Sequence, residues 1–129
     1  MDFYLNSDNS TNRLIDEYVQ HNSLVVAFDF DDTVYDFHKK GRLYNDVIRL
    51  LKDLKTINCY LICWTGQQDL EFVSNYLSEN NIPFNAINEN PPFHKSTSRK
   101  IYANAYLDDR AGLLQTYNNL QIVLKTIKK

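Results

Sequence analysis

This chain has almost nothing to staple it: two cysteines in 129 residues, Cys59 and Cys63. Four residues of extended chain separate them by roughly 13 Å, too far for a disulfide. They read as buried thiols in a reducing compartment, and a cytoplasmic location is expected. No apolar run approaches the roughly 20 residues of a membrane span. The start, Met1-Asp2-Phe3-Tyr4-Leu5-Asn6, lacks the basic opening of a secretory leader. An excess of charge is missing too. Fourteen basic against sixteen acidic residues leave a formal charge of −2, with no broad basic face for nucleic acid and room only for a local patch. Glycine is scarce, three residues against fifteen asparagines, a bias pointing to an AT-rich coding source. No repeat and no linker divides residues 1–129, so one domain with a small core is expected. Residues 1–22 read as an N-terminal extension.

What is present is a regular alternation of apolar strands and amphipathic helices. Residues 1–10 are polar and read as a frayed start. A short helix is expected from Ser10 or Thr11, with Leu14, Ile15, Tyr18 and Val19 as its apolar stripe. Leu24–Phe30 is the first strand, short, β-branched and continuous enough to be buried on both faces. A polar connection, Val34–Arg42, leads to a helix carrying Leu43, Val47, Leu50, Leu51 and Leu54. Cys59–Trp64 is the second strand. Its helix shows Leu70, Val73, Tyr76 and Leu77 on one face and ends at Asn80-Asn81-Ile82-Pro83. Phe84–Ile87 is a third strand, residues 88–98 a loop, and Ala103–Leu107 a fourth strand. Gly112–Lys129 fits either a last strand or a C-terminal helix. The alternation predicts an α/β fold, a Rossmann-like doubly wound parallel sheet.

Three of these strands end in reactive side chains. Asp29 and Asp31, with Thr33, follow the first; Thr65 and Gly66 follow the second; Asp108 and Asp109 follow the fourth. In a parallel α/β sheet all those ends lie along one edge, where ligands bind. Acids two apart repel unless a cation neutralises them or one keeps a proton. That is costly in a structural loop and useful in a divalent-metal phosphoryl-transfer site. Asp-x-Asp-x-Thr alone is weak; the convergence of three strand ends raises it. Taken singly, Thr65 reads equally well as a helix cap, and Lys100 as a solvated lysine. His21, His38 and His94 show no metal-ligand spacing. Phe28, Tyr60 and Trp64 read as core.

With these motifs in place, residues 24–112 resemble the haloacid dehalogenase superfamily of phosphotransferases. Asp29-Phe30-Asp31-Asp32-Thr33 matches its first motif, Thr65 its second, a lysine its third and Asp108-Asp109 its fourth. Trp64-Thr65 and Ser98-Arg99-Lys100 through Arg110 look like a group of small bacterial and phage members without a cap domain. Neither connection where caps are inserted, Val34–Arg42 or Asn88–Arg99, is long enough to fold by itself. The resemblance implies a Mg²⁺-dependent phosphohydrolase or phosphotransferase acting on a phosphomonoester through an aspartyl-phosphate. Asp29 is then the nucleophile and Asp31 the general acid and base. Asp29, the Asp31 carbonyl and Asp108 would hold Mg²⁺. Thr65 and Gly66 would bind phosphoryl oxygens at a helix N-terminus, with Thr33 and Asp109 in support. Lys100, eight residues before Asp108, is the better candidate for the motif lysine, and Lys95 its rival. Asp32 stands where the family often has glycine, and Gln67 where the group often has a basic residue. Two rival functions stay open: a non-catalytic Mg²⁺ and phosphate-binding regulatory module, and a nucleic-acid end-processing phosphatase, the latter not favoured by the mild acidity. The open site suits a phosphorylated small molecule or an exposed phosphate on a larger one, and a homo-oligomer is compatible with it.

Overall fold

The structure is a computed structural model in which residues 1–128 are described. Four short strands, β1 (Val25–Phe28), β2 (Tyr60–Cys63), β3 (Ala86–Ile87) and β4 (Ala105–Leu107), alternate with α1 (Ser7–His21), α2 (Asn45–Lys55), α3 (Leu70–Glu79) and α4 (Leu113–Ile127). All strand pairs are parallel, in the order β3-β2-β1-β4. The chain winds outward through β2 and β3, then crosses back to place β4 on the other side of β1. This reversal is the doubly wound, Rossmann-like arrangement expected from the sequence, and it makes β1 central. No helix or extended strand occupies residues 29–44 or 88–104, so neither connection carries a cap.

The two faces of the sheet are covered unequally. Val26, Phe28, Leu61, Cys63, Ala105 and Leu107 point to one side and join the buried residues of all four helices in the main core. Val25, Ala27 and Ile62 point to the other, where Ile101 of the irregular return segment closes a small second cluster, flanked by Tyr102, Ala103 and Tyr106. The strict alternation of side chains along a strand produces this division.

Local chemistry explains where the helices differ from expectation. α1 begins at Ser7 rather than Ser10, because the Asn6 side chain accepts the Asp8 amide at 2.9 Å and caps it. Phe3–Leu5 forms a 3₁₀ turn before it, so the start is folded rather than frayed. Of the expected stripe, Leu14, Ile15 and Tyr18 pack inward and Val19 is exposed, while Thr11 joins the buried face. Leu43 lies outside α2 and is exposed. The ambiguous tail is helical: α4 buries Leu120, Val123 and Leu124. α1 and α4 are joined by a polar contact as well. Asn119, itself buried, accepts from Thr11 Oγ1 at 2.9 Å, Gln115 Nε2 at 2.9 Å and Ser7 Oγ at 3.3 Å.

Scarce glycine has a counterpart in the backbone. Asn22, Asn58, Asn81 and Asn88 take positive φ, as do Asp32 and Lys39. Asparagine tolerates this left-handed region better than most residues, so it closes turns that glycine closes elsewhere.

Replacing Asn119 by alanine would leave the buried Thr11 hydroxyl without its helix-to-helix acceptor. The expected cost is about 1–3 kcal/mol, seen as a melting temperature lower by roughly 5–10 °C. An unchanged melting temperature would show that the contact contributes nothing to the packing of α1.

Candidate functional site

The parallel register builds the site. Phe28 pairs with Cys63 on one side and Leu107 on the other. The ladder runs one step further, Trp64 N donating to Phe28 O at 2.9 Å and Asp29 N to Leu107 O at 2.8 Å. Asp29, Trp64 and Asp108 are therefore level at the C-terminal edge of three adjacent strands. Since Phe28, Cys63 and Leu107 face the helical core, the next residues turn to the thinly covered face.

Asp29, Asp108 and Asp109 come together there, each offering a carboxylate oxygen, all within 4.8 Å of one another. Burial, the Asp108 charge and the nearby Asp109 push the Asp29 carboxyl from 3.8 up to about 7, against the lowering effect of the Phe30 amide, which donates to its Oδ1 at 2.8 Å. The donor set is all hard oxygen, which fits Mg²⁺. Asp109 was expected in a supporting role and sits inside the carboxylate cluster. Thr33, fully buried, holds it: Thr33 Oγ1 donates to Asp109 Oδ1 at 3.3 Å and accepts the Asp109 amide at 3.2 Å. Thr33 is thus a support for Asp109.

The Asp31 carboxylate stands apart from that cluster and accepts from Gln67 Nε2 at 3.0 Å. Gln67 thereby orients the second aspartate. Thr65 is buried, and its Oγ1 accepts the Gln67 amide at 3.1 Å, leaving the hydroxyl proton to donate. The expected helix N-terminus at Thr65-Gly66 is not there. α3 begins at Leu70, and Asp69 caps it by accepting the Phe72 amide at 3.0 Å. Thr65 is instead clasped by Asn88, which accepts from Thr65 N at 2.8 Å and donates to Thr65 O at 2.9 Å.

Asp32 has φ +58°, the reason glycine suits that position. Its carboxylate is used: Tyr44 Oη donates to Oδ1 at 3.2 Å and His38 Nε2 lies 3.3 Å from Oδ2. The short flap is thus tied to the first motif. Within it, the Asp36 carboxylate accepts the amides of Lys40, Gly41 and Arg42.

Two cavities meet at Asp29 and Asp108. One, of about 330 Å³, lies under the flap and is bordered by Asp31, Phe37, His38 and Arg110. The other, of about 480 Å³, is lined by Trp64, Lys100, Tyr106 and Asn104. Lys100 therefore lines a cavity shared with the acids, and Lys95 does not line it. The Lys100 ammonium lies 5.6 Å from the centroid of the Tyr106 ring. Trp64, expected in the core, is 37% exposed. Sequence reasoning missed it, together with the second-rank residues Asn88, Tyr44 and His38. The adjacency of Trp64 to Thr65 was the available signal.

No family model matches the sequence, and no curated protein is similar to it. A solved structure described as the conserved protein coded by a locus of Bacteroides thetaiotaomicron is similar in fold, with a TM-score of 0.62 and 25% identity. The similarity covers 82% of this chain and 90% of that one.

Two consequences follow for the metal-free protein. An acid whose folded pKa is raised binds its proton more tightly when folded. Stability from Asp29 is therefore present near pH 4 and is lost as pH rises through about 7. Mg²⁺ is expected to raise the melting temperature at pH 8 by several degrees, or roughly 2–3 kcal/mol at about a hundredfold above its Kd, and by much less at pH 5. Asp108→Asn should raise the metal-free melting temperature at pH 8 and abolish the response to Mg²⁺. Calorimetric melts with Mg²⁺ or chelator check both, and an equal response at the two pH values would contradict the cluster's role.

Proposed function

We propose that this protein is a Mg²⁺-dependent phosphohydrolase that works through an aspartyl-phosphate, on a capless fold of the haloacid dehalogenase type. The observation carrying this reading is the meeting of Asp29, Asp108 and Asp109 at the end of the central strand, within reach of one cation. Thr65 and Lys100 border the same edge from β2 and the return segment.

Asp29 is the nucleophile. One carboxylate oxygen attacks phosphorus in line, the new O–P bond forming as the ester O–P bond breaks. Asp31 gives its proton to the departing oxygen, and the Gln67 contact holds it in place for that transfer. In the second half, Asp31 takes a proton from water as the water oxygen attacks the aspartyl-phosphate. Inorganic phosphate leaves and the Asp29 carboxylate is restored. Lys100 and the Thr65 hydroxyl compensate charge on the phosphoryl oxygens. Asp29, Asp108 and Asp109, with the Asp31 carbonyl, are the groups that would hold Mg²⁺. When bound, the ion supplies positive charge that keeps Asp29 ionised at neutral pH and reduces its repulsion of the phosphate.

Cys59 and Cys63 are free and buried, their thiols pushed up to about 11 and about 12 chiefly by that burial. Such inert thiols suit a reducing cytoplasm.

Hydrolysis of a generic aryl phosphate with Mg²⁺ tests the function. Turnover should vanish with chelator and fall by about 10³-fold or more in Asp29→Asn, in line with removal of a nucleophile. Activity retained by Asp29→Asn would overturn the assignment.

A further inference from the structure

We propose that the larger cavity beside Asp29 is a nucleobase pocket, so that the phosphomonoester is that of a nucleotide. This deepens the function proposed above and rests on it for the placement of the phosphate. A phosphoryl group needs only the acidic end of the site, yet the cavity runs on from Asp29 and Asp108 to about 480 Å³. Part of its wall is aromatic, formed by Trp64 and Tyr106. Trp64 is level with Asp29 by strand register, and the Tyr106 ring lies 5.7 Å from it at 50°. Trp64 is more than a third exposed although it extends a buried strand. A large apolar ring left bare beside a reactive carboxylate is where a planar ligand removes water at little cost.

The cations in the lining favour a heteroaromatic ring carried on an anion. The Lys100 ammonium lies over the Tyr106 ring, in the cavity that Asp29 and Asp108 also line. Arg13 borders the same cavity, held by Glu17 at 2.8 Å and by the Asn104 carbonyl at 3.0 Å. The lining also holds the polar residues Ser10, Gln115 and Thr116. A nucleobase has what these surfaces complement: a flat face for Trp64 and a hydrogen-bonding edge for the polar residues of the lining. A plain phenyl group offers only the first.

The chain has a single tryptophan, so its fluorescence reports Trp64 alone and needs no turnover. The first arm titrates adenosine 5′-monophosphate, with methyl riboside 5-phosphate as the base-free control, into the Asp29→Asn protein with Mg²⁺. Saturable quenching by the nucleotide and none by the control is expected. The second arm compares kcat/KM for the two compounds, which share a primary-alcohol leaving group. The nucleotide should be preferred by about tenfold or more, and Trp64→Ala should bring that ratio close to one, with Trp64→Phe retaining part of it. Equal turnover without quenching would overturn the base pocket and leave the phosphatase standing. Quenching without turnover of either compound would support the pocket and overturn the phosphatase. Neither quenching nor turnover would overturn both.

Discussion

Everything at the site hangs on the register of β1 against its two neighbours. Side chains alternate along a strand, so a one-residue slip of any of the three would turn its terminal residue to the opposite face. Phe28, Cys63 and Leu107 hold the register, each with no exposed surface and all facing the helical core. Burying an aromatic or aliphatic side chain of this kind contributes roughly 1.5–3 kcal/mol. Asp29 and Asp108 repel one another, but both are partly solvated, and water screens their interaction. The apolar row below is therefore strong enough to force the acidic row above it together. That is how a small core can hold three carboxyl groups within reach of one another.

Asparagine and aspartate do in this chain what glycine does in many loops, and near the site they do more. A non-glycine residue at positive φ costs roughly 1–2 kcal/mol. At Asn88, with φ +55°, the side chain returns two hydrogen bonds to the Thr65 backbone. At Asp32, with φ +58°, it takes Tyr44 and His38. Glycine could make either turn without strain but neither contact. The strain is offset by fixing Thr65 from the β3 side and the flap from the α2 side, which positions groups at both ends of the acidic edge.

The sheet was legible because buried strands leave short, continuous apolar runs, and the reactive residues stand at the ends of those runs. Asp29, Thr65 and Asp108 could be placed on one edge from pattern alone. Periodicity was less informative about which face of each element the fold would leave open. Val19 and Leu43 continue the apolar spacing of their helices but meet nothing, and Thr11 is buried because Asn119, distant in sequence, accepts its hydroxyl. Trp64 misled for the same reason. It extends an apolar strand, and only the missing helix over that face makes it a wall rather than core. α3 starts at Leu70, with Asp69 as its cap, so Thr65 and Gly66 precede its first turn and form no helix N-terminus. The clasp of Asn88 on Thr65 joins residues 23 apart, a contact that no local pattern encodes.

The uneven cover of the sheet bears directly on the chemistry. The buried side chains of α1 to α4 join one core with Val26, Phe28, Leu61, Cys63, Ala105 and Leu107. The other face of the sheet is covered around Ile101 by the irregular return segment. α1 and α4 come near the acids through the cavity they help to line, with Ser10, Arg13, Gln115 and Thr116. Phosphoryl transfer gains from excluding water, because charge–charge interactions strengthen as the local dielectric falls. Residues 29–44 and 88–104 hold no helix or extended strand able to close over Asp29. The flap, tied down through Asp32, shields one side only. In the proposed reaction, water on the other side would be displaced by the substrate itself. A phosphate on a small aliphatic alcohol would leave the Trp64 side wet, whereas a bulky planar group seated against Trp64 and Tyr106 would dry the approach to Asp29. For the proposed phosphatase, the selection of a substrate and the desolvation of Asp29 would become one event.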